Sequence, residues 1–394
     1  MKTLLAALLA TSAGAIPRFA VRTGFDCGSC HVNPTGGGIR TAFARNVFAR
    51  QWLALPAGAE AMDEAFSPDI GRHIAIGTDV RPGYLWQNSP DPAFSDTSSL
   101  VTMQADLYVH ARASPKLALY WDQGVYGGFE TFVLVRPLGE REGWDFYVKA
   151  GHFVIPFGVR EANHTIWTRE AVGFGPRDRD NGAEVGFGLG RFSAQLAVVN
   201  GTYGDAFLDA GGTRELRVFD KAVSARMVFR ARAGPLRVWH AASILYNDNV
   251  SQQSPLFLPA LFPGSQGEAI PYGVNEWRFG GFLGLGLGRL GYAGEIVVVR
   301  DSFAAGIPTI VGYTSYQELA VTLFQGLDLV GTYEFADSDI EFERGRVDRR
   351  GGAIEFFPFP FLELRGMYRH SVGAKEWLLG GARDDVEIMV HLFL

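Results

Sequence analysis

The sequence predicts an all-β chain: a transmembrane antiparallel β-barrel of about 16 strands behind a short N-terminal helical and loop segment. Two observations carry this. Apolar and polar residues alternate with period two in segment after segment from Arg72 to the last residue, and the 394 residues include 49 glycines and 30 phenylalanines with charges spread evenly. Such a mixture suits a sheet that is apolar on one face and polar on the other. A third observation sets the N-terminal segment apart: the chain has two cysteines, and both lie in Cys27-Gly28-Ser29-Cys30-His31.

Met1-Lys2, the apolar run Leu4 to Leu9 and the small residues Ala13-Gly14-Ala15 read as a secretory signal peptide, residues 1–15, so the mature chain is expected to begin at Ile16. No later run of about 18 apolar residues follows, so any membrane crossing falls to strands. Residues 16–70 are expected to form a separate segment around the cysteine motif. Asn33-Pro34-Thr35-Gly36-Gly37-Gly38 is a turn no regular element could contain. Ile39, Phe43, Val47, Phe48, Trp52 and Leu55 then fall at helical spacing, with Arg40, Arg45 and Arg50 on the polar side and Pro56 as the stop. The arginines are expected to be solvated rather than to hold a bound group's carboxylates.

Residues 71–394 are expected to be the barrel. Leu100 to Ala113 is the clearest strand: Val101, Met103, Ala105, Leu107 and Val109 share one face, and Thr102, Gln104, Asp106, Tyr108 and His110 share the other. Sixteen such segments can be placed, with 14 as the alternative if the short connection at Gly127 is not a turn. Tight links at Ser114-Pro115-Lys116, Gly190 and Gly326 alternate with long ones at 155–181, 201–219 and 247–274, which is the pattern of short periplasmic turns and long external loops. Both chain ends are thereby expected in the periplasm. A soluble two-sheet sandwich is the competing fold, and it would leave too much apolar surface in water.

Cys-x-x-Cys-His is the attachment signature of c-type haem, because two thiols at this spacing can add to the two vinyl groups while the adjacent imidazole ligates the iron. Cys27 and Cys30 are thus the covalent sites and His31 the axial ligand of one haem c. A redox or structural disulfide would leave His31 unexplained and lacks the strand-helix context of thiol exchange. The second axial position needs a methionine or histidine. Met62 is preferred, being part of the haem segment, over His73 at the start of the first strand; His110 and His391 face the lumen but demand a particular haem depth.

Other signals carry less. Gly286-Leu287-Gly288-Arg289-Leu290-Gly291 matches a dinucleotide fingerprint, but a strand follows it and the glycines continue a period-two series, so they are expected to make room in the lumen or at a turn. Inward Arg112, Lys149, Arg365 and Arg369 are expected to pair with Asp106, Glu295, Asp328 and Glu363 across a wet lumen. Acidic residues at Asp91, Asp96, Asp205, Asp209, Asp337 and Asp339 could receive a cation but more simply keep loops soluble. A net charge of −6 gives no basic footprint for nucleic acid.

Pro17, Phe19-Ala20, Thr23-Gly24 and Cys27-x-x-Cys30-His31 resemble the lead-in and haem site of the fused monohaem cytochrome-porins of bacterial outer membranes, which include outer-membrane cytochromes of iron(II)-oxidising bacteria. Lys149 to Gly158, followed by Arg160, resembles a porin segment that precedes an inward-folding loop. The first resemblance implies electron transfer through the haem from an extracellular donor such as Fe(II) to a periplasmic cytochrome or other carrier, as an oxidoreductase embedded in outer-membrane lipid. The glycine-rich turn at Asn33 to Gly38 departs from the iron oxidisers and weakens iron as the donor. A diffusion porin with a haem-containing gate or sensor is the alternative, and a haem enzyme acting on peroxide is a third reading that lacks a distal acid-base pair beside the motif.

Overall fold

A strand with alternating polarity must bury one face, and sixteen of them joined edge to edge do so by closing the sheet, which leaves no unpaired edge. The computed structural model describes residues 17–62, 68–89, 95–124, 130–139, 143–160, 166–170, 172, 179–201, 221–248, 273–303, 308–337, 339–341, 346–373 and 382–394. Residues 1–15, expected to be a signal peptide, and Asp91, Asp205 and Asp209 lie outside them. The strands are β1 (Ile74–Gln87), β2 (Thr97–Ser114), β3 (Leu117–Gly124), β4 (Thr131–Val135), β5 (Trp144–Val154), β6 (Arg179–Leu189), β7 (Phe192–Val199) and β8 (Ala222–Ala233). They continue as β9 (Leu236–Asn247), β10 (Gly273–Leu287), β11 (Leu290–Phe303), β12 (Ile310–Phe324), β13 (Leu327–Asp337), β14 (Arg346–Phe359), β15 (Leu362–Gly373) and β16 (Ala382–Phe393).

Every strand is antiparallel to its sequence neighbours, and β16 returns to β1 with Ile388 opposite Tyr84. Closure excludes the sandwich and the count of 14: β3 and β4 are separate paired strands, Tyr120 opposite Phe132. The two-residue strand Asp69–Ile70 lies beside the start of β1. One end of the barrel carries two-residue turns such as 115–116, 190–191 and 325–326, together with Leu394; the other carries the long connections.

Side chains sort by face as the alternation requires. Leu107, Leu119, Leu196, Phe229, Leu283, Ile296 and Ile388 are exposed on the outside, while Tyr108, His110, Lys149, Glu184, Arg226 and His391 are buried inside. No helix among the described residues is long and apolar enough to cross a membrane.

Two segments enter the lumen. After β5, residues 155–160 turn inward: the Gly158 amide donates to Ser243 Oγ (2.9 Å), the Val159 amide to Glu295 Oε1 (3.2 Å), and Ser224 Oγ to the Pro156 carbonyl (2.9 Å). Helix α1 (Pro17–Thr23) lies against β9, β10 and β11 near the tight-turn end. The period-two glycines make its seat: a Cβ at Gly284 would stand 2.3 Å from Val21, and one at Gly286 would stand 2.6 Å from the Val21 carbonyl. Their expected role in the lumen is what the wall shows.

The helix expected over Ile39 to Leu55 is shorter and wider. Ile39 and Arg40 are extended, Arg40 bridging His31, and Ala44–Leu53 is a π-helix whose last bond runs from the Ala54 amide to the Ala49 carbonyl (2.9 Å). Each turn holds an extra residue, which spacing read at 3.6 per turn could not anticipate. The helix ends at Leu53, before the expected stop at Pro56, and Pro56 also opens a separate helix, Pro56–Ala61, since the first helical position needs no amide proton.

Replacing Gly286 by Val should push α1 off the wall, because the clash is with backbone. The expected outcome is a folded barrel whose Arg18 and Arg22 become trypsin-sensitive; cleavage no faster than in the unaltered protein would contradict the seating.

Candidate functional site

The N-terminal segment is fastened inside the barrel by charge. Arg18, 2% exposed, donates from Nη1 to Glu318 Oε1 on β12 (3.1 Å) and from Nη2 to Glu355 on β14, with its Nε 3.8 Å from Asp328 on β13. Desolvating one ion costs several kcal/mol, so a guanidinium this buried is tolerable only with close counter-charges. Its neighbours are satisfied in turn: Tyr316 donates to Glu318 Oε2 (2.6 Å), Thr322 to Asp328, and Arg365 stands 3.6 Å from Glu355. Arg22 reaches Asp328 Oδ2 at 3.4 Å, and Arg237 of β9 donates to the Arg22 carbonyl (2.6 Å).

Helix α2 (Cys27–Cys30) follows. Its cap Asp26 accepts from the Ser29 amide (3.1 Å) and hydroxyl (2.6 Å) and is ion-paired with Arg230 of β8 at 2.9 Å. Burial works against the charged Asp26 carboxylate, but Arg230 and Ser29 outweigh it and hold its pKa below the usual carboxylate value. The single turn therefore has a fixed N-terminus and a wall contact in one residue.

Behind α2 the chain makes a loop that returns beside it. The Thr41 amide donates to the Cys30 carbonyl (2.7 Å) and the Val32 amide to that of Ile39 (3.2 Å). Gly36, Gly37 and Gly38 all take positive φ, 96°, 77° and 66°, a region L side chains rarely enter. Contact is also tight: a Cβ at Gly36 would lie 3.3 Å from Cys27 Cβ, and one at Gly38 1.7 Å from Tyr120 Oη.

That loop aims His31. Its Nδ1 is 3.1 Å from the Gly38 carbonyl, while Nε2 is buried with no partner among the described residues. Donation from Nδ1 leaves Nε2 as the lone-pair nitrogen, the state a metal-ligating histidine needs. Burial, with Arg40 and Arg160 nearby, pushes its pKa down to about 3, so the imidazole is neutral at pH 7. Cys27 and Cys30 are free thiols with no disulfide between them, and burial pushes the Cys30 thiol up, keeping it protonated. Two free thiols and an oriented, unpartnered imidazole nitrogen fit what a c-type haem requires.

The surroundings are apolar on one side. Cys30 packs with Phe19, Phe25, Phe48, Phe357 and Phe393; Phe25 meets Trp52 at 5.8 Å between centroids, and Trp52 is 45% exposed. Cys27 packs instead beside Val159, Val228, Trp239 and Phe282. Of the three arginines expected in solvent, Arg45 pairs with Asp69 (2.6 Å), Arg50 donates to the Ala59 carbonyl (3.0 Å), and Arg40 lies 3.8 Å over the Phe393 ring. They are bound because the barrel surrounds the face that would otherwise meet water.

Met62 is half-buried at the end of Pro56–Ala61, and His73 is exposed before β1 with Nδ1 2.8 Å from the Arg112 carbonyl. Neither packs in the aromatic cluster around Cys30. His110 and His391 do face inward, the latter between Asp79 (3.0 Å) and Glu363 (2.8 Å). The lumenal ion pairs form with different partners from those expected: Lys149 takes Glu184 (2.7 Å), Arg369 takes Asp385 (2.5 Å), Glu295 takes Arg169, Asp328 takes Arg18 and Arg22, and Arg112 is exposed at the rim. Strand register decides these pairings, and alternation alone does not carry register. Among the described residues no cluster of three or more His, Cys, Asp or Glu could hold a metal ion. The fastening role of Arg18 was not foreseen; its only signal was a charge beside the apolar Phe19-Ala20-Val21.

No protein-family model matches the chain, and no curated protein is similar to it in sequence. Solved structures are similar in shape. OprB of Pseudomonas putida superposes with a TM-score of 0.56 at 10% identity, covering 82% of this chain and 94% of its own. An anion-selective porin from Comamonas acidovorans gives 0.55 at 10% identity over 82% and 99%, and OmpT of Vibrio cholerae 0.54 at 8% over 82% and 97%. The fold is that of a 16-stranded porin.

Replacing Arg18 by Met leaves Glu318 without a cation and Asp328 and Glu355 with only Arg22 and Arg365, and removing one partner of a buried pair costs about 3–5 kcal/mol. The segment should undock while the barrel stays closed, seen as faster hydrogen exchange at residues 17–31 with unchanged strand protection. Equal exchange in both proteins would show that the ion cluster does not hold the segment.

Proposed function

We propose that the chain is an outer-membrane electron-transfer protein that carries one haem c on Cys27 and Cys30, with His31 as an axial ligand, inside a porin barrel. The observation that supports it most is His31: a buried imidazole whose Nδ1 is engaged by Gly38 and whose Nε2 is left without a partner beside two free thiols. When bound, a haem supplies a one-electron Fe(III)/Fe(II) couple. The chain's own residues hold it and exclude water: the Gly38 carbonyl fixes the imidazole, the aromatic side chains around Cys30 form a dry wall, and Trp52 is an exposed edge of that wall.

The signal peptide, the exposed apolar outer face and the porin fold support insertion in outer-membrane lipid. The tight turns share an end with Leu394, which supports a periplasmic position for both chain ends. Electrons then pass between an extracellular donor, of which Fe(II) is the one the family resemblance names, and a periplasmic cytochrome or other carrier. Met62, at the end of Pro56–Ala61, or His73, just before β1, would supply the second residue that holds the haem iron.

A diffusion porin with a haem-containing gate is the second reading, favoured by similarity to porins. Against free diffusion stand two obstructions in the lumen, the Arg18-fastened segment and residues 155–160.

One experiment separates the two. Protein made in a host with haem-attachment machinery should keep peroxidase stain through denaturing electrophoresis and lose it when Cys27 and Cys30 are Ser, while showing little conductance in planar bilayers. A stain-negative protein would end the haem reading, and steady conductance with a haem that no donor reduces would favour the gate.

A further inference from the structure

Buried cations of this lumen are paired almost without exception. Among the described residues, every fully buried arginine from Arg18 to Arg369 has a carboxylate within 4.0 Å except Arg226. Arg226, 5% exposed on β8, makes no side-chain hydrogen bond or ion pair to any described residue, and its Nε is unsatisfied. It sits opposite Gln195 of β7, whose Oε1 is also unsatisfied, and opposite Ser243 of β9. Two residues along β8 is Val228, which packs with Trp239 in the cluster that Cys27 joins; Trp239, 3% exposed, has an unsatisfied Nε1. Glu184 and Tyr147 on the adjoining wall are engaged with Lys149 and with each other.

Arg40 is the second exception. Its side chain is half-buried at the bridge to His31, makes no hydrogen bond or ion pair to a described residue, and lies over the Phe393 ring. Asp79, the carboxylate whose charge it feels most, is already held by Arg81 (3.0 Å) and His391 (3.0 Å). Cys30 lies beside it. One uncompensated guanidinium therefore stands on the Cys27 side of the motif and another on the Cys30 side.

An unpaired buried guanidinium is costly and is retained where a planar oxyanion completes it. Haem brings two such groups. Its propionates hang from the two pyrroles that carry no vinyl, and each of these adjoins one vinyl-bearing pyrrole, so a porphyrin joined to Cys27 and Cys30 has one carboxylate toward each side. We propose that Arg226, with Trp239 Nε1 and the Gln195 amide, and Arg40 are the two carboxylate receptors for the propionates of the haem carried by Cys27 and Cys30. This rests on the haem reading above.

The test is redox potentiometry of the haem-loaded protein against pH, on the unaltered chain, Arg226→Gln, Arg40→Gln and Arg226→Lys, with covalent haem counted by mass spectrometry and closure checked by heat-shifted gel mobility. Losing a cation beside a propionate favours the ferric state and makes that propionate easier to protonate. Each Gln variant should keep its haem and show a lower midpoint potential with a new pH dependence between pH 5 and 8, and Arg226→Lys should recover part of the shift. Haem present with potentials and pH profiles unchanged in both Gln variants overturns the assignment alone. Absence of covalent haem from the unaltered protein overturns the reading of the motif and this inference together.

Discussion

A single buried guanidinium joins the two halves of this molecule. Arg18 sits among carboxylates from three successive strands, β12, β13 and β14, at the tight-turn end of the barrel. Without it the lumen would present a patch of acids, and the N-terminal segment would lose the most buried of the contacts that set its depth. With it, α1 lies against the glycine wall of β10 and β11, α2 follows, and Asp26 reaches Arg230 on the neighbouring strand β8. The position of Cys27, Cys30 and His31 is thus a consequence of ion pairs made by residues before them.

The same constraint explains the sequence's composition. A chain of 394 residues that keeps its charges evenly spread can bury them only if the fold offers an enclosed polar surface, and a closed barrel does so. Paired charges then line the lumen, and the departures from pairing gather near the cysteine motif. The glycines serve the opposite need, absence of side chain: at Gly284 and Gly286 they admit a helix, and at Gly36 to Gly38 they let a loop turn back against Cys27 and Tyr120.

Much of this was legible beforehand. The sixteen strands, the order of tight and long connections, and the inward faces of His110 and His391 follow from period-two alternation, which is local and strong. The glycine series beside Arg289 was correctly taken as space. What alternation could not carry was register, so Lys149 finds Glu184 and Arg369 finds Asp385 rather than the expected partners. Nor could helical spacing foresee a π-helix at Ala44–Leu53, or Pro56 as a helix start. At the motif, the residue types were readable from the sequence, whereas the aiming of His31 by the Gly38 carbonyl and the fastening by Arg18 depend on contacts between residues far apart in the chain.

The most direct measurement uses sealed proteoliposomes carrying the haem-loaded protein, a trapped oxidant inside and a membrane-impermeant reductant outside. The account predicts that the trapped oxidant is reduced at a rate set by the amount of haem, without leakage of a small trapped dye, and that the Cys27→Ser, Cys30→Ser barrel supports neither process. Dye escaping with no reduction of the oxidant, or equal reduction by the cysteine-free barrel, would contradict it.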